Sequence, residues 1–389
     1  MNDPIDKSGP SEHSKIVLVG GSLQSGGAER VLSDMANFWS NRGFEVSLAT
    51  WTGADVVDFY EIDPKIKRIW LDVPAPNTSA IAKLRSNLTR VRKLHRVLKS
   101  SEPDAVLSFI DWPNVLTILA ATGLRTRIVV SERIHPAYHS GLTWPWKLLR
   151  RIFYRRADAV VAQTDDVARW LEQHCRASTC TIPNPLRNLP VLRALRSAQI
   201  LAVGRLYHQK GFDILVRAFA RIHHEVEGWE VVIVGAGPEY DNLLNLITEL
   251  EVVDKVSIVD PVKNIESLMA CAGLVVQPSR FEGFPNVILE AMGMGAPVIS
   301  ADCPSGPSEI IEDGVNGRLV PVGDVAALST AIVECISNPM LRERLGNNAV
   351  KVREQFRQDT IMRQWDACLF PEFHEHCGVD AAREIKSER

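Results

Sequence analysis

The 389-residue sequence predicts an α/β protein built from two doubly wound parallel-sheet domains with a cleft between them. Three observations carry this. Short β-branched runs alternate with amphipathic segments of helical spacing along most of the chain, the pattern of parallel strands joined by crossover helices. The alternation comes in two sets, separated by Thr181–Leu192 (TIPNPLRNLPVL), a stretch with three closely spaced prolines that reads as an interdomain linker. The length provides for two cores, at roughly 100–200 residues per domain.

In the first half the strand signals are Lys15–Val19, Glu45–Ala49, Ala105–Phe109, Arg127–Ser131 and Ala159–Ala162. In the second half they are Gln199–Val203, Glu230–Val234, Val256–Val259, Leu274–Gln277, Pro297–Ser300 and Arg318–Val320. Helical periodicity falls between them, for example at Gly26–Arg42, Gly211–Val226, Glu239–Glu251 and Asp324–Ile336. The expected first domain is 1–190, with 1–14 disordered, and the second is 191–354.

The composition, 46% hydrophobic and 23% charged with 24 Gly and 22 Pro, excludes a disordered, collagen-like or repeat chain. No run approaches the roughly 18 apolar residues of a membrane span. The opening MNDPIDKSGPSEHSK lacks the apolar core of a secretory signal, so the expected address is the cytoplasm. Seven widely spaced cysteines, with no CxxC pair, fit reduced thiols better than disulfides or zinc. Residues 1–190 hold 25 Lys and Arg against 19 Asp and Glu, and residues 191–389 hold 19 against 28. A basic first half suggests an anionic partner, either nucleic acid or an anionic membrane leaflet.

In open α/β sheets ligands bind beyond the carboxyl ends of the strands, which directs attention to the loops there. After the first strand comes GGSLQSGGAER, a glycine-rich turn running into a helix whose free N–H groups suit an anion, with Gly26 and Gly27 at its start. It contains neither GxGxxG nor GK[ST], which disfavours a dinucleotide site and a P-loop. GRLYHQKG follows the first strand of the second half and sets Arg205 and Lys210 before a helix, where two cations suit a diphosphate. GAGPEYDNL, with Gly235 and Gly237, lets a flat ligand approach the backbone.

The most informative segment is PSRFEGFPNVILEAMGMGAPVIS, in which a strand leads through a loop into a short helix from about Pro285 to Met292. Glu282 and Glu290 lie eight residues apart, and both are expected to face one ligand. Carboxylates accept hydrogen bonds from pairs of sugar hydroxyls, and the helix start at Gly283, Phe284, Pro285, Asn286 and Val287 offers N–H groups to a phosphate. That combination suits a nucleoside diphosphate sugar.

These residues resemble the retaining family-4 glycosyltransferases of GT-B fold, whose signature is two glutamates separated by seven residues, here E-GFPNVIL-E. The resemblance extends from about residue 15 to 350 and also rests on GRLYHQKG and GGAER. Two strings, SERIHP and DCPSGPSEIIEDGVNG, look like the subgroup that assembles bacterial exopolysaccharides, O-antigens and lipid-linked oligosaccharides, such as the amylovoran-type transferases. The resemblance implies two Rossmann-like domains, with the acceptor bound by the first and the nucleotide sugar by the second. It implies that 355–389 returns as a helical segment to brace the first domain, anchored by Trp365.

By position, Glu290 would hold the ribose hydroxyls, Glu282 the donor sugar, and Arg205 with Lys210 the diphosphate. Gly26, Gly27, Gly235, Gly237 and the 283–287 turn would complete the donor site. No Asp-x-Asp string occurs, so no metal and no other cofactor is expected. The family's retention of anomeric configuration leaves the departing phosphate oxygen to take the acceptor's proton. Many relatives carry a histidine where this chain has Arg133, and both Arg133 and the nearby His135 are candidates for the catalytic region.

Ala80–Ser100 reads as a basic amphipathic helix, with Ile81, Leu84, Leu88, Val91, Leu94 and Leu98 on one stripe. Trp144–Arg156 interleaves aromatics with five cations. The stripes are expected to pack on the sheet, and the exposed cations to draw the protein to the inner face of an anionic membrane. No nucleic-acid motif accompanies the charge. The expected reaction moves a hexose or N-acetylhexosamine from a nucleotide diphosphate sugar, UDP-linked by subgroup resemblance, to a polyprenyl-diphosphate-linked glycan. A transferase with a soluble acceptor and a non-catalytic sugar-nucleotide-binding partner are the alternatives.

Overall fold

The structure is a computed structural model describing residues 14–373, apart from 25, 74–78, 140 and 193–194. Of the lead expected to be disordered, only Ser14 falls within the described residues, and it is buried. The rest of the lead lies outside them, as does the end of the 355–389 segment from residue 374 on. The chain divides into two compact units, one of residues 1–182 with 359–389 and one of 183–358.

The first unit runs β1 (Lys15–Gly20), α1 (Gly27–Asn41), β2 (Glu45–Thr50), β3 (Lys67–Trp70), α2 (Ala80–Ser101), β4 (Ala105–Phe109), α3 (Asp111–Ala121), β5 (Arg127–Ser131), α4 (Trp144–Phe153), β6 (Ala159–Ala162), α5 (Asp165–Cys175) and β7 (Thr179–Thr181). Its strands form one sheet in the order β3-β2-β1-β4-β5-β6-β7. Every pairing is parallel. Central strand β4 is buried at all its positions, because a parallel sheet covered by helices has no solvent face and its strands become continuous apolar runs. Those runs made the strands visible in the sequence. The two strands the sequence reading missed, β3 and β7, are short, half-exposed edges.

The second unit runs β8 (Ser197–Val203), α6 (Phe212–Ile222), β9 (Glu230–Val234), α7 (Tyr240–Glu249), β10 (Val256–Val259), α8 (Ile265–Cys271), β11 (Ala272–Gln277), α9 (Asn286–Gly293), β12 (Val298–Ala301), α10 (Pro307–Ile310), β13 (Arg318–Val320), α11 (Val325–Ser337), α12 (Pro339–Ala349) and α13 (Val352–Gln355). Its parallel sheet has the order β10-β9-β8-β11-β12-β13. Much of the stretch read as a linker is built into this unit, with Leu186 N–H donating to Phe356 O at 2.7 Å.

The chain then returns as α14 (Gln358–Leu369). Ile361, Met362, Trp365 and Leu369 join the core under β1, β4 and β5, and Trp365 lies 6.2 Å from the Phe109 ring. Asp366 is buried beside them, which is costly for a carboxylate without partners. Trp39 Nε1 donates to its Oδ1 at 2.8 Å and Arg42 pairs with its Oδ2.

The two basic segments only partly follow expectation. In α2, Leu94 and Leu98 are fully buried, but Ile81, Leu84 and Leu88 are 66, 62 and 46% exposed, so half of the stripe does not pack on the sheet. Not every cation is solvated either. Arg90 is buried over the Trp112 ring, Lys93 donates to the carbonyls of Leu71 and Asp72, and Arg150 of α4 is buried among carboxylates.

Candidate functional site

In the second unit the site begins where β8 ends. Arg205 lies over the Tyr207 ring at 5.3 Å, and a short turn at His208–Lys210 leads to Gly211, whose φ is +67°. A Cβ at Gly211 would come within 2.1 Å of Pro278 O, so glycine is what lets this loop pass against the end of β11. The two loops are then fastened together. Arg280 grips Asp213 through two bonds of 2.8 and 2.7 Å, and its N–H donates to Gln209 O. Gln209 Nε2 donates to Phe281 O at 2.9 Å.

This fastening brings Lys210 Nζ to 2.6 Å from Glu282 Oε1. Ser279 Oγ donates to the same oxygen at 2.6 Å and Gln277 Nε2 reaches it at 3.2 Å. The Glu282 carboxylate is buried, and three converging donors fix its orientation, a charge-assisted arrangement stronger than neutral hydrogen bonds. Lys210 and Glu282 came from the sequence. Gln277 and Ser279 were missed, although Gln277 precedes the PSRFEG string and Ser279 is its second residue, because only the bend after β11 turns them inward.

Glu290 sits on the buried face of α9. Each of the two glutamates pairs with a different cation. Arg187 Nη2 lies 3.4 Å from Glu290 Oε2, and Arg187 also pairs with Glu266 of α8. Arg187 went unnoticed because its segment read as linker. Pro285 caps α9, and Asn286, its first residue, accepts a bond from Asn184 Nδ2 at 2.7 Å. Phe284 is buried against Phe356, Val287 packs on the same core, and Gly283 lies in the preceding turn.

Gly235 and Gly237 are also required where two loops pass close together. A Cβ on either would strike the backbone of the β8 loop, at 1.9 Å from Gly204 O and 2.5 Å from Leu206 O. The spacing is therefore explained by the close approach of two loops, which Leu206 N–H fastens to Ala236 O at 2.9 Å.

In the first unit, Gly26 precedes α1 and Gly27 opens it. Tyr60 Oη accepts from Gly26 N–H at 3.1 Å and donates to Gly26 O at 2.9 Å, so a tyrosine holds the turn just before Gly27. Arg133 is buried 4.1 Å from the Phe109 ring centroid. Burial pushes its guanidinium down to about 9, with Glu29 opposing. His135 is buried, its Nδ1 accepting from Ala137 N–H and its Nε2 3.2 Å from Asp166. Burial lowers its pKa against the pull of Asp166.

Beside these lies a buried polar cluster that sequence reasoning missed. Glu132 Oε1 accepts from Tyr154 Oη at 2.7 Å and stands 3.5 Å from Arg150 Nη1. Arg150 is 3.8 Å from Asp111, which pairs with His139 at 2.8 Å. Burial, then the nearby Asp111 charge, pushes Glu132 up to about 7. The Asp111 carboxylate, as acceptor for the imidazole, raises His139. SERIHP contained Glu132, but its partners lie on α3, on α4 and in the turn that follows α4, which no local pattern connects to it.

The family model described as Glycosyltransferase Family 4 matches residues 25–187, and the one described as Glycosyl transferases group 1 matches 191–352. The chain belongs to the family 4 and group 1 glycosyltransferases. An amylovoran biosynthesis glycosyltransferase of Erwinia amylovora is 25% identical over 366 residues, covering 91% of this glycosyltransferase and 99% of that one. An α-1,4-N-acetyl-D-galactosaminyltransferase of Campylobacter jejuni, named for a diphospho-undecaprenol-linked glycan, is 28% identical over 358 residues, covering 90 and 97%. Among solved structures, sucrose-phosphate synthase of Thermosynechococcus elongatus superposes with a TM-score of 0.79 at 19% identity, covering 93 and 100%. Anabaena HepE, solved with UDP, superposes at 0.70 and 22%, covering 90 and 98%. The shared architecture is the GT-B fold of two parallel-sheet domains.

Proposed function

We propose that this glycosyltransferase moves a hexose or N-acetylhexosamine from a nucleotide diphosphate sugar to a polyprenyl-diphosphate-linked glycan in bacterial surface polysaccharide synthesis, with retention and without a metal. The observation that carries the donor half is the fastened loop pair of the second unit, which holds Lys210 against a buried carboxylate, with Arg205 exposed earlier in the same loop. Lys210 and Arg205 stabilise the leaving diphosphate as charge develops on it, the largest contribution in sites of this kind. Glu282 receives the donor sugar hydroxyls and Glu290 the ribose. The departing phosphate oxygen takes the acceptor hydroxyl's proton. UDP as carrier and a lipid-linked acceptor are supported by the names of the relatives and neighbours.

The first unit takes the acceptor at the membrane surface. No described helix is long and apolar enough to cross a membrane. Ile81, Leu84 and Leu88 on α2 and Trp144 and Leu148 on α4 stand exposed beside Lys83, Arg85, Lys147 and Arg151, a mixture suited to an anionic interface.

The test is a thermal-shift screen against UDP, GDP, ADP and their common sugars, since a ligand of the folded state raises the midpoint by mass action. One nucleotide standing out, with its shift lost in Glu290→Ala, supports the donor site; no shift from any of them overturns it. Turnover with a water-soluble sugar and none with a polyprenyl-linked glycan would favour the soluble-acceptor reading.

A further inference from the structure

We infer that Cys180 and Cys368 form an oxidation site that closes reversibly to a disulfide. Cys180 is the middle residue of edge strand β7, and Cys368 lies in the last turn of α14, 188 positions further along the chain. Their sulfurs are 3.3 Å apart, and an approach of about 1.3 Å brings them to bonding distance. Both are only half-buried, so a small oxidant has access. Cys368 is held in place by its own carbonyl, which accepts from Arg127 Nε at 2.8 Å.

The chemistry distinguishes Cys180 from Cys175, Cys303 and Cys335. Thiolate character sets the rate of attack on an oxidant. The hydrogen bond from Cys368 lowers the Cys180 thiol, assisted by the Arg127 charge. Burial pushes the thiols of Cys175 and Cys335 up to about 11 and that of Cys303 up to about 12. Cys180, on the sheet edge, is taken as the attacking sulfur, and its resolving partner is already in contact at 3.3 Å.

With hydrogen peroxide as oxidant, the Cys180 thiolate attacks one peroxide oxygen. The O–O bond breaks, hydroxide leaves and is protonated to water, and Cys180 becomes a sulfenic acid. Cys368 then attacks that sulfur, the S–S bond forms, the S–O bond breaks, and the hydroxide leaves as water with the Cys368 proton. Two thiols are oxidised by two electrons and one peroxide is reduced to two waters. The bond closes a ring through residues 181–367, which contains the whole second unit, and it fastens α14 to the sheet edge from which the chain leaves the first unit.

The experiment treats the full-length folded protein with hydrogen peroxide, blocks remaining thiols by alkylation, and maps tryptic peptides before and after reduction. The expected product joins peptide 177–187 to peptide 364–383 through Cys368, with fragment spectra separating Cys368 from Cys377 in the same peptide. Dithiothreitol releases it. On a denaturing, non-reducing gel the closed ring runs ahead of the reduced chain, and that shift is absent in Cys180→Ser and Cys368→Ser. In Cys368→Ser, Cys180 proceeds several-fold further to sulfinic acid than in the wild type. A Cys180 joined to Cys377, a Cys180 over-oxidised while Cys368 stays alkylatable, or both thiols fully alkylated after peroxide would each overturn the assignment, and the wild-type map decides even if a variant fails to fold.

Discussion

Lys210 Nζ meets Glu282 Oε1 at 2.6 Å across 72 residues of sequence. The pair exists because Arg280 and Gln209 fasten one loop to the other, so the geometry of the ion pair depends on residues that do not belong to it.

Lys210→Ala is expected to lower kcat by about 10²–10³-fold, the usual loss on removing one transition-state donor, with little change in KM for the donor sugar. Arg280→Ala is expected to show a smaller loss, since it loosens Lys210 without removing it. Steady-state assays with the donor identified by the thermal screen read both. Equal activity in Lys210→Ala and wild type would remove the cation from the mechanism.

Glu290→Ala is expected to abolish the nucleotide-induced thermal shift. Arg187→Ala is expected to weaken it, because Arg187 positions Glu290 and also ties down Glu266. A shift unchanged in Glu290→Ala would place the ribose elsewhere.

Glu132 predicts a pH dependence of stability. Its carboxyl is raised from 4.5 to about 7, so the folded state binds the proton more tightly than the unfolded state. The stabilisation is fully present below about pH 4.5 and is lost as pH rises through about 7. An effect on the order of 3 kcal/mol corresponds to this shift. Glu132→Gln keeps an acceptor for Tyr154 and removes the titration, so its denaturation midpoint is expected to change less across that window than the wild type's. Identical profiles would assign the pH dependence to other groups.

The two halves of α2 are expected to respond differently. Leu94→Ala empties a fully buried position and is expected to destabilise the fold by about 2–5 kcal/mol. Leu84→Ser, at an exposed position, is expected to leave the midpoint unchanged and reduce flotation with anionic liposomes. Flotation insensitive both to Leu84→Ser and to the anionic lipid would exclude this face from membrane contact.

The sequence by itself determined the two parallel α/β sheets, since strands buried on both faces must be written as apolar runs and crossover helices as amphipathic ones. It singled out the glutamate pair and the two cations of the second unit as candidates, because their residue types and local spacing at strand ends can be read without the fold. Tertiary structure alone decided which charges meet. Glu282 pairs with Lys210 and Glu290 with Arg187, while Glu132, Asp111 and Arg150 gather from three separate elements. It also decided that half of the α2 stripe is bare and that Cys180 touches Cys368. The physical reason is the range of the forces involved. Periodicity records how one segment divides between core and water, whereas an ion pair or a thiol contact depends on the packing of segments tens to hundreds of residues apart, which leaves no pattern in either one.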